Sequence, residues 1–349
     1  MVDHLPRLTV FYIIRINMIK SFSLQNFGCL GNVRVDSLSK INLVVGPNSS
    51  GKSTLLKALY TGLKSAEMYK RGKDNRILMS IFQEKLRWVF QVDVLSELVK
   101  VGQSAAELEM KTSYEHMLMR ISSKDKPILS EWTGPVPRED NSVFIPAKEV
   151  ISIQPIINRA RFIDQVFGFD ETYSDLCTAL SLPTTMGKNY KNFASSRKML
   201  KNVTGGVVFY DVKKKKWLFS KDDVTLPIEL ASDGIKKIGI LDTLLGNRYL
   251  SPKSVVFIDE VESSLHPEAI SKLLDIVYVL SQTGMQFFIS THSYFVVKKL
   301  YLVAQERKIS IPILSLDESF SLGNLQEGIP SDNKIIAESI RLYEQEILL

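Results

Sequence analysis

Gly46-Pro47-Asn48-Ser49-Ser50-Gly51-Lys52-Ser53-Thr54 decides how this chain of 349 residues is read. The apolar run Ile41-Asn42-Leu43-Val44-Val45 leads in, and the helix-like run Thr54-Leu55-Leu56-Lys57-Ala58-Leu59-Tyr60 leads out. The stretch matches G-x-x-x-x-G-K-[ST] in a strand–loop–helix setting, the spacing of a phosphate-binding loop. Gly46 and Gly51 permit backbone angles that a Cβ forbids. The N–H groups around them can then turn inward as a nest for phosphate oxygens, and the N-terminus of the following helix adds its positive end. In that arrangement Lys52 reaches the β- and γ-phosphates and the Ser53 hydroxyl ligates Mg²⁺. The candidate nucleotide-binding set is therefore Gly46, Pro47, Asn48, Ser49, Ser50, Gly51, Lys52, Ser53 and Thr54. A plain glycine turn before a buried helix is the bland alternative, and the flanking elements disfavour it.

Working outward, Ser254-Val255-Val256-Phe257-Ile258-Asp259-Glu260 is an apolar strand that ends in two carboxylates. A strand buried on both faces of a parallel sheet has this continuous apolar character. At its carboxyl end Asp259 can hold Mg²⁺ through water, and Glu260 can act as general base on the attacking water. Gln286-Phe287-Phe288-Ile289-Ser290-Thr291-His292-Ser293 is a second such strand, placing His292 to donate to the γ-phosphate or the lytic water. Glu229-Leu230-Ala231-Ser232-Asp233-Gly234-Ile235-Lys236-Lys237 opens a helix expected to run to Leu245. Ser232 and Gly234 at that helix start form an anion site, a reading that a simple helix cap explains equally well.

Composition sets the outer bounds. The length suits one large or two modest domains, and 45% hydrophobic with 23% charged residues is ordinary for a globular protein. The two cysteines, Cys29 and Cys177, give neither a disulfide framework nor a metal spacing, and fit a reducing cytoplasm. The four histidines form no zinc pattern. A net charge of +6 permits a nucleic-acid partner without demanding one. No run reaches the ~18 apolar residues that a membrane span needs, so no membrane partner is expected. Leu8-Thr9-Val10-Phe11-Tyr12-Ile13-Ile14 is short, ends at Arg15 and lacks a cleavage site, so residues 1–17 read as an N-terminal extension before Met18.

Ile19 to Phe27 reads as an edge strand, alternating as a half-buried strand does, and Val33-Arg34-Val35 continues it as a hairpin. Residues 65–105 are helical in tone, Glu107 to Arg120 suggests a strand pair turning near Tyr114-Glu115, and 122–142 is rich in Lys, Pro, Ser and Asp and reads as a loop. Val143-Phe144-Ile145 returns to a strand that stops at Pro146. Residues 150–200 look mostly helical and amphipathic. Val207-Val208-Phe209-Tyr210 and Lys216-Trp217-Leu218-Phe219 flank a lysine-rich hairpin turn, better explained by solvation than by a partner. There are no sustained heptads and no internal repeat.

Taken together, the phosphate loop, Ser232-Asp233-Gly234, Asp259-Glu260, Ser263-Ser264-Leu265-His266-Pro267 and His292 resemble an ABC-type ATPase head. The order is most similar to the heads shared by SMC-like proteins and the OLD-type AAA ATPases of phage defence. The resemblance implies an α/β P-loop fold, a mixed sheet with N-terminal antiparallel strands and a largely helical insertion. It implies that Lys52, Ser53 and Asp259 bind ATP with Mg²⁺, that Glu260 activates water and that His292 senses the γ-phosphate. It further implies that Ser232 and Gly234 act in trans, two heads sandwiching two ATPs. On this basis residues 18–349 form one ATPase domain, split by an insertion at about 65–205, with the second half of the site at 206–300 and a tail at 301–349. Asp233 and Ile235 replace the glycine and glutamine typical of transporters, which disfavours a transporter subunit. Gln83, Gln91 and Gln154 all remain open for the glutamine loop. Without a long coiled coil or a recognisable acidic nuclease cluster, the expectation is an ATPase component alone. Its partners would be a second copy of itself and a separate effector such as a nuclease or toxin; the alternative is a DNA-repair or chromosome-associated ATPase that binds nucleic acid.

Overall fold

A computed structural model describes residues 18–113, 115–124, 127–133, 138, 140–185, 187, 189–190, 192–330 and 333–349. The first part of the chain forms β1 (Ile19–Gln25), β2 (Asn32–Val35), β3 (Ile41–Val45), α1 (Lys52–Met68) and α2 (Leu78–Phe90). Next come β4 (Ala105–Thr112), β5 (His116–Ser122), β6 (Pro127–Thr133), β7 (Val143–Ile145), α3 (Gln154–Arg159), α4 (Glu171–Leu180) and α5 (Phe193–Thr204). Then follow β8 (Val207–Asp211), β9 (Lys216–Lys221), β10 (Val224–Pro227), α6 (Asp233–Gly246), β11 (Val255–Ile258) and α7 (Pro267–Ser281). The chain closes with β12 (Gln286–Thr291), α8 (Tyr294–Arg307), β13 (Pro312–Leu316), β14 (Phe320–Asn324) and α9 (Lys334–Ile347).

The continuous apolar runs become the central sheet, ordered β14-β13-β3-β12-β11-β7. Every pairing in it is parallel except β13 with β14. Side chains alternate across it, so one strand feeds two cores. Leu43, Val256, Phe287 and Ile313 face a layer containing α4 to α8, while Val44, Phe257, Phe288 and Leu314 face α1. The alternating runs build the second sheet, β2-β1-β4-β5-β6, antiparallel throughout. Its inner face also packs on α1. That helix is therefore buried on both sides, which explains why Leu55, Leu56, Leu59, Tyr60 and Leu63 cover one side of it while Thr61, Lys64 and Ser65 are buried on the other. Phe144, Phe257 and Phe288 stack in series across three neighbouring strands, with the Tyr60 ring edge-on to the first two.

Some expectations change. β1, read from sequence as an edge strand, lies between β2 and β4. The loop expected over 122–142 contains β6, which pairs with β5 as the outer strand of the antiparallel sheet. It holds an edge position, where one side of the ladder faces away from other strands. The insertion at 65–205 is mixed, with helices α2 to α5 and strands β4 to β7. Residues 301–349, taken from sequence as a tail, supply β13, which sits beside the phosphate-loop strand. Residues 1–17 and the turn residue Tyr114 lie outside the described residues. Among the described residues no helix is long and apolar enough to cross a membrane.

Candidate nucleotide site

The phosphate loop runs from the carboxyl end of β3 to the first residue of α1. Gly51, the helix N-cap, has φ 96°, a left-handed conformation. A Cβ there would lie 2.4 Å from Leu30 Cδ2, so glycine is required by both angle and space. A Cβ on Gly46 would meet the Leu316 carbonyl oxygen of β13 at 2.4 Å. Lys52 Nζ donates to the Gly46 and Pro47 carbonyls at 2.8 Å each, curling over the loop. Burial pushes its ammonium below the usual lysine range, while Glu260, Asp259, Glu262 and Asp317 pull it back up.

The second half arrives on β11 and β12, which are adjacent and parallel. Ser53 Oγ donates to Asp259 Oδ2 at 2.7 Å, joining residues 206 apart in sequence. Ser290 Oγ donates to Asp259 Oδ1 at 2.5 Å and accepts from the Glu260 N–H at 2.8 Å. Glu260 itself has φ 45°, rare for a residue with a Cβ. A left-handed residue costs about 1–2 kcal/mol, so surrounding bonds must hold it. Its carbonyl accepts from Ser263 N–H at 2.9 Å and from Lys237 Nζ at 2.6 Å. His292 stands at the end of β12, its N–H donating to Glu262 Oε1 at 2.9 Å. Its Nδ1 lies 3.3 Å from Glu262 Oε1 and 3.7 Å from Glu260 Oε1.

Ser232 caps α6 with its side chain exposed and making no cap hydrogen bond. Gly234 is buried, and a Cβ on it would meet the Ser264 carbonyl oxygen at 2.7 Å. The start of α6 is thus pressed against the loop that follows Glu260. Of the three glutamines, Gln154 is committed elsewhere. Its Nε2 donates to the Cys177 carbonyl and Ser181 Oγ, and its Oε1 accepts from Trp217 Nε1. Gln83 lies within α2 and Gln91 at its C-terminus. The chain segment that meets Asp259 from the other side is the end of β7, where the Asp259 N–H donates to the Ile145 carbonyl.

The residues present suit a nucleotide and a hard cation. Ser50 Oγ is buried in the loop without a hydrogen-bond partner. Ser53 and Asp259 offer the oxygen ligands that Mg²⁺ prefers. Sequence reading missed Ser290, Lys237 and Glu262. A serine inside an otherwise apolar strand end was the available signal for the first. The other two carried none until α6 and the end of β12 were placed against the loop that follows β11.

Fold and site together define an ABC-type P-loop ATPase head of the SMC-like kind. The chain belongs to the family described as AAA domain, putative AbiEii toxin, Type IV TA system, whose model matches residues 105–298. A second model, described as AAA ATPase domain, matches residues 18–74. An ATP/GTP phosphatase of Helicobacter pylori is 21% identical over 346 residues, covering 83% of this chain and 89% of that protein. Among solved structures, the SmcHead bound to the C-winged helix domain of ScpA is similar with a TM-score of 0.55 and 16% identity, covering 88% of this chain and 98% of that one. The Smc head domain with an extended coiled coil, bound to the C-terminal domain of ScpA from Pyrococcus furiosus, gives 0.54 and 12%, covering 94% and 99%. At these identities the structures show a shared fold.

Proposed function

We propose that the chain hydrolyses ATP to ADP and phosphate at a site completed by a second copy, and that this cycle regulates a separate effector, a nuclease or toxin, in anti-phage defence. The observation that carries the catalytic reading is the 2.7 Å bond between Ser53 and Asp259, which brings the phosphate loop and the acidic strand end into one site. Lys52 would exchange its loop carbonyls for the β- and γ-phosphates. Gly46 through Thr54 would wrap the phosphates, and Ser53 and Asp259 would hold Mg²⁺. Bound Mg²⁺ would neutralise charge on the β- and γ-phosphoryl oxygens. Glu260 would take a proton from the water whose oxygen bonds to the γ-phosphorus as the bond to the bridging oxygen breaks. His292 would steady the γ-phosphate or that water.

Residues 18–349 act in this reading as one ATPase unit, with the second half of the site in 206–300. The exposed Ser232 and the adjacent Gly234 N–H would close on the γ-phosphate of the opposing head. The effector and the defence role rest on the family description and on analogy, a weaker warrant than the site. A second reading, a chromosome-associated or repair ATPase that binds nucleic acid directly, would set the exposed lysines Lys213 to Lys216 at the β8–β9 hairpin tip against phosphates, although solvation by itself explains them. Steep salt-dependent DNA binding by the purified chain would select it.

The test is light scattering of Glu260→Gln with and without MgATP. Glutamine keeps the size of the side chain but cannot accept the proton, a loss of about 10²- to 10⁴-fold in rate. ATP-bound assemblies should accumulate, and adding Ser232→Arg should disperse them while each head still binds ATP. Nucleotide that never changes the assembly state would sink the composite site, and a wild-type rate in Glu260→Gln would remove Glu260 as the base.

A further inference from the structure

Lys237 lies on α6, five residues after Ser232, and is almost wholly buried. A buried ammonium is expensive unless it is paired. Burial pushes this one down to about 8, against the opposing pull of Glu262, Asp259 and Glu260. Its Nζ is spent on a main-chain oxygen, the carbonyl of Glu260, at 2.6 Å. That is the residue with φ 45° whose carboxylate must face the attacking water. The same helix makes a second contact with the same loop, through the close approach of Gly234 to the Ser264 carbonyl. The helix whose start is to meet the opposing nucleotide is therefore fastened at two points to the segment that carries the base.

We propose that Lys237 is a positioning residue, which transmits closure of a second head on Ser232 to the backbone of Glu260 and so sets its carboxylate for proton abstraction. The proposal rests on the reading of Glu260 as base and of Ser232 as the trans contact. In the unclosed head the Lys237 bond holds the Glu260 carbonyl; a shift of α6 on closure moves that carbonyl with it. Without the ammonium, the carbonyl keeps only the Ser263 N–H of these two donors. The left-handed backbone is then free to relax, and the carboxylate moves off line. A displacement of about 1 Å costs about 10²-fold in rate at a site that depends on alignment. Substrate binding should be spared, since Lys237 touches none of the phosphate-loop residues that would hold ATP.

The experiment compares wild type, Lys237→Met, Lys237→Arg and Glu260→Gln by steady-state ATP hydrolysis over a range of protein concentration, with assembly followed by light scattering. Methionine fills the buried space without a charge, so the variant should fold, as a melting curve reports. Lys237→Met should show KM within a few-fold of wild type, MgATP-dependent assembly, and kcat lower by about 10- to 100-fold. Wild-type turnover per head should rise as heads assemble; that of Lys237→Met should stay flat across the same range. Lys237→Arg, which can still donate to the carbonyl, should recover part of kcat. The proposal is overturned if Lys237→Met turns over like wild type, or if it loses ATP binding and assembly together with kcat, which marks a structural role. The Glu260→Gln arm separates the two levels. Wild-type hydrolysis by that variant removes the underlying base assignment, whereas an inactive Glu260→Gln beside a fully active Lys237→Met removes only the role of Lys237.

Discussion

Ser290 serves both acidic residues with one hydroxyl, donating to Asp259 and accepting from the Glu260 N–H. Ser290→Ala leaves a carboxylate oxygen and an N–H without that partner. A hydrogen bond to a charged group contributes about 1.5–3 kcal/mol, so kcat should drop about 10- to 100-fold. Steady-state hydrolysis measured across a Mg²⁺ titration checks this, and an unchanged rate would refute it. On the proposed reading Lys52→Ala removes a charge-assisted phosphate contact of similar size, so calorimetry should show ATP affinity reduced about 10- to 100-fold. These two residues differ in how visible they were beforehand. Lys52 is fixed by local spacing, because a phosphate nest is built from consecutive N–H groups and needs its glycines at set positions. Ser290 gains its role from a neighbour in space, since β12 must lie beside β11 before its hydroxyl can reach Asp259. Lys237 and Glu262 were hidden for the same reason.

Between elements, glycines set the closest approaches. A Cβ on Gly239 of α6 would sit 2.6 Å from Val208 Cγ2 of β8. Gly239→Ala should overpack this contact and destabilise the fold by about 1–3 kcal/mol. Val208→Ala should recover part of the loss in urea unfolding, and a purely additive double variant would show that the two elements do not press on each other. On α1, Glu67 is fully buried, accepting from Lys64 Nζ at 3.1 Å and from the Ser142 N–H at 2.5 Å. Burial alone would lower the Lys64 ammonium; Glu67 beside it reverses this and holds it above the usual lysine range. Glu67→Ala removes its carboxylate partner, leaving Lys64 Nζ its 2.8 Å bond to Tyr249 Oη, and should cost about 3–5 kcal/mol by the same measurement. The buried strands were legible at this scale because parallel strands covered on both faces leave an uninterrupted apolar run. β6 was not, because its seven residues form a short, mixed run and the Lys, Pro, Ser and Asp residues on either side gave the whole segment the composition of a loop. β13 was not, because Pro312-Ile313-Leu314-Ser315-Leu316 gives no sign that its partner is β3, far earlier in the chain.

For the whole molecule, chelation of Mg²⁺ should abolish both hydrolysis and ATP-dependent assembly, leaving single heads in light scattering. If the effector is a separate protein, the purified chain should leave plasmid intact in Mg²⁺ or Mn²⁺; cutting that persists in Lys52→Ala would assign it a nuclease of its own. The sheet order also fixes when during synthesis a head can exist. β3 pairs with β12 on one side and β13 on the other, and Asn42 Nδ2 bonds the Phe287 carbonyl across 245 residues of chain. At ~5–20 residues per second, the ribosome leaves β3 without either neighbour for tens of seconds. Its five apolar-flanked residues must be sheltered through that interval, by the antiparallel sheet or by a chaperone. A nascent chain that stops before β13 leaves Gly46 without the backbone it rests against, so an interrupted translation product should lack a set phosphate loop.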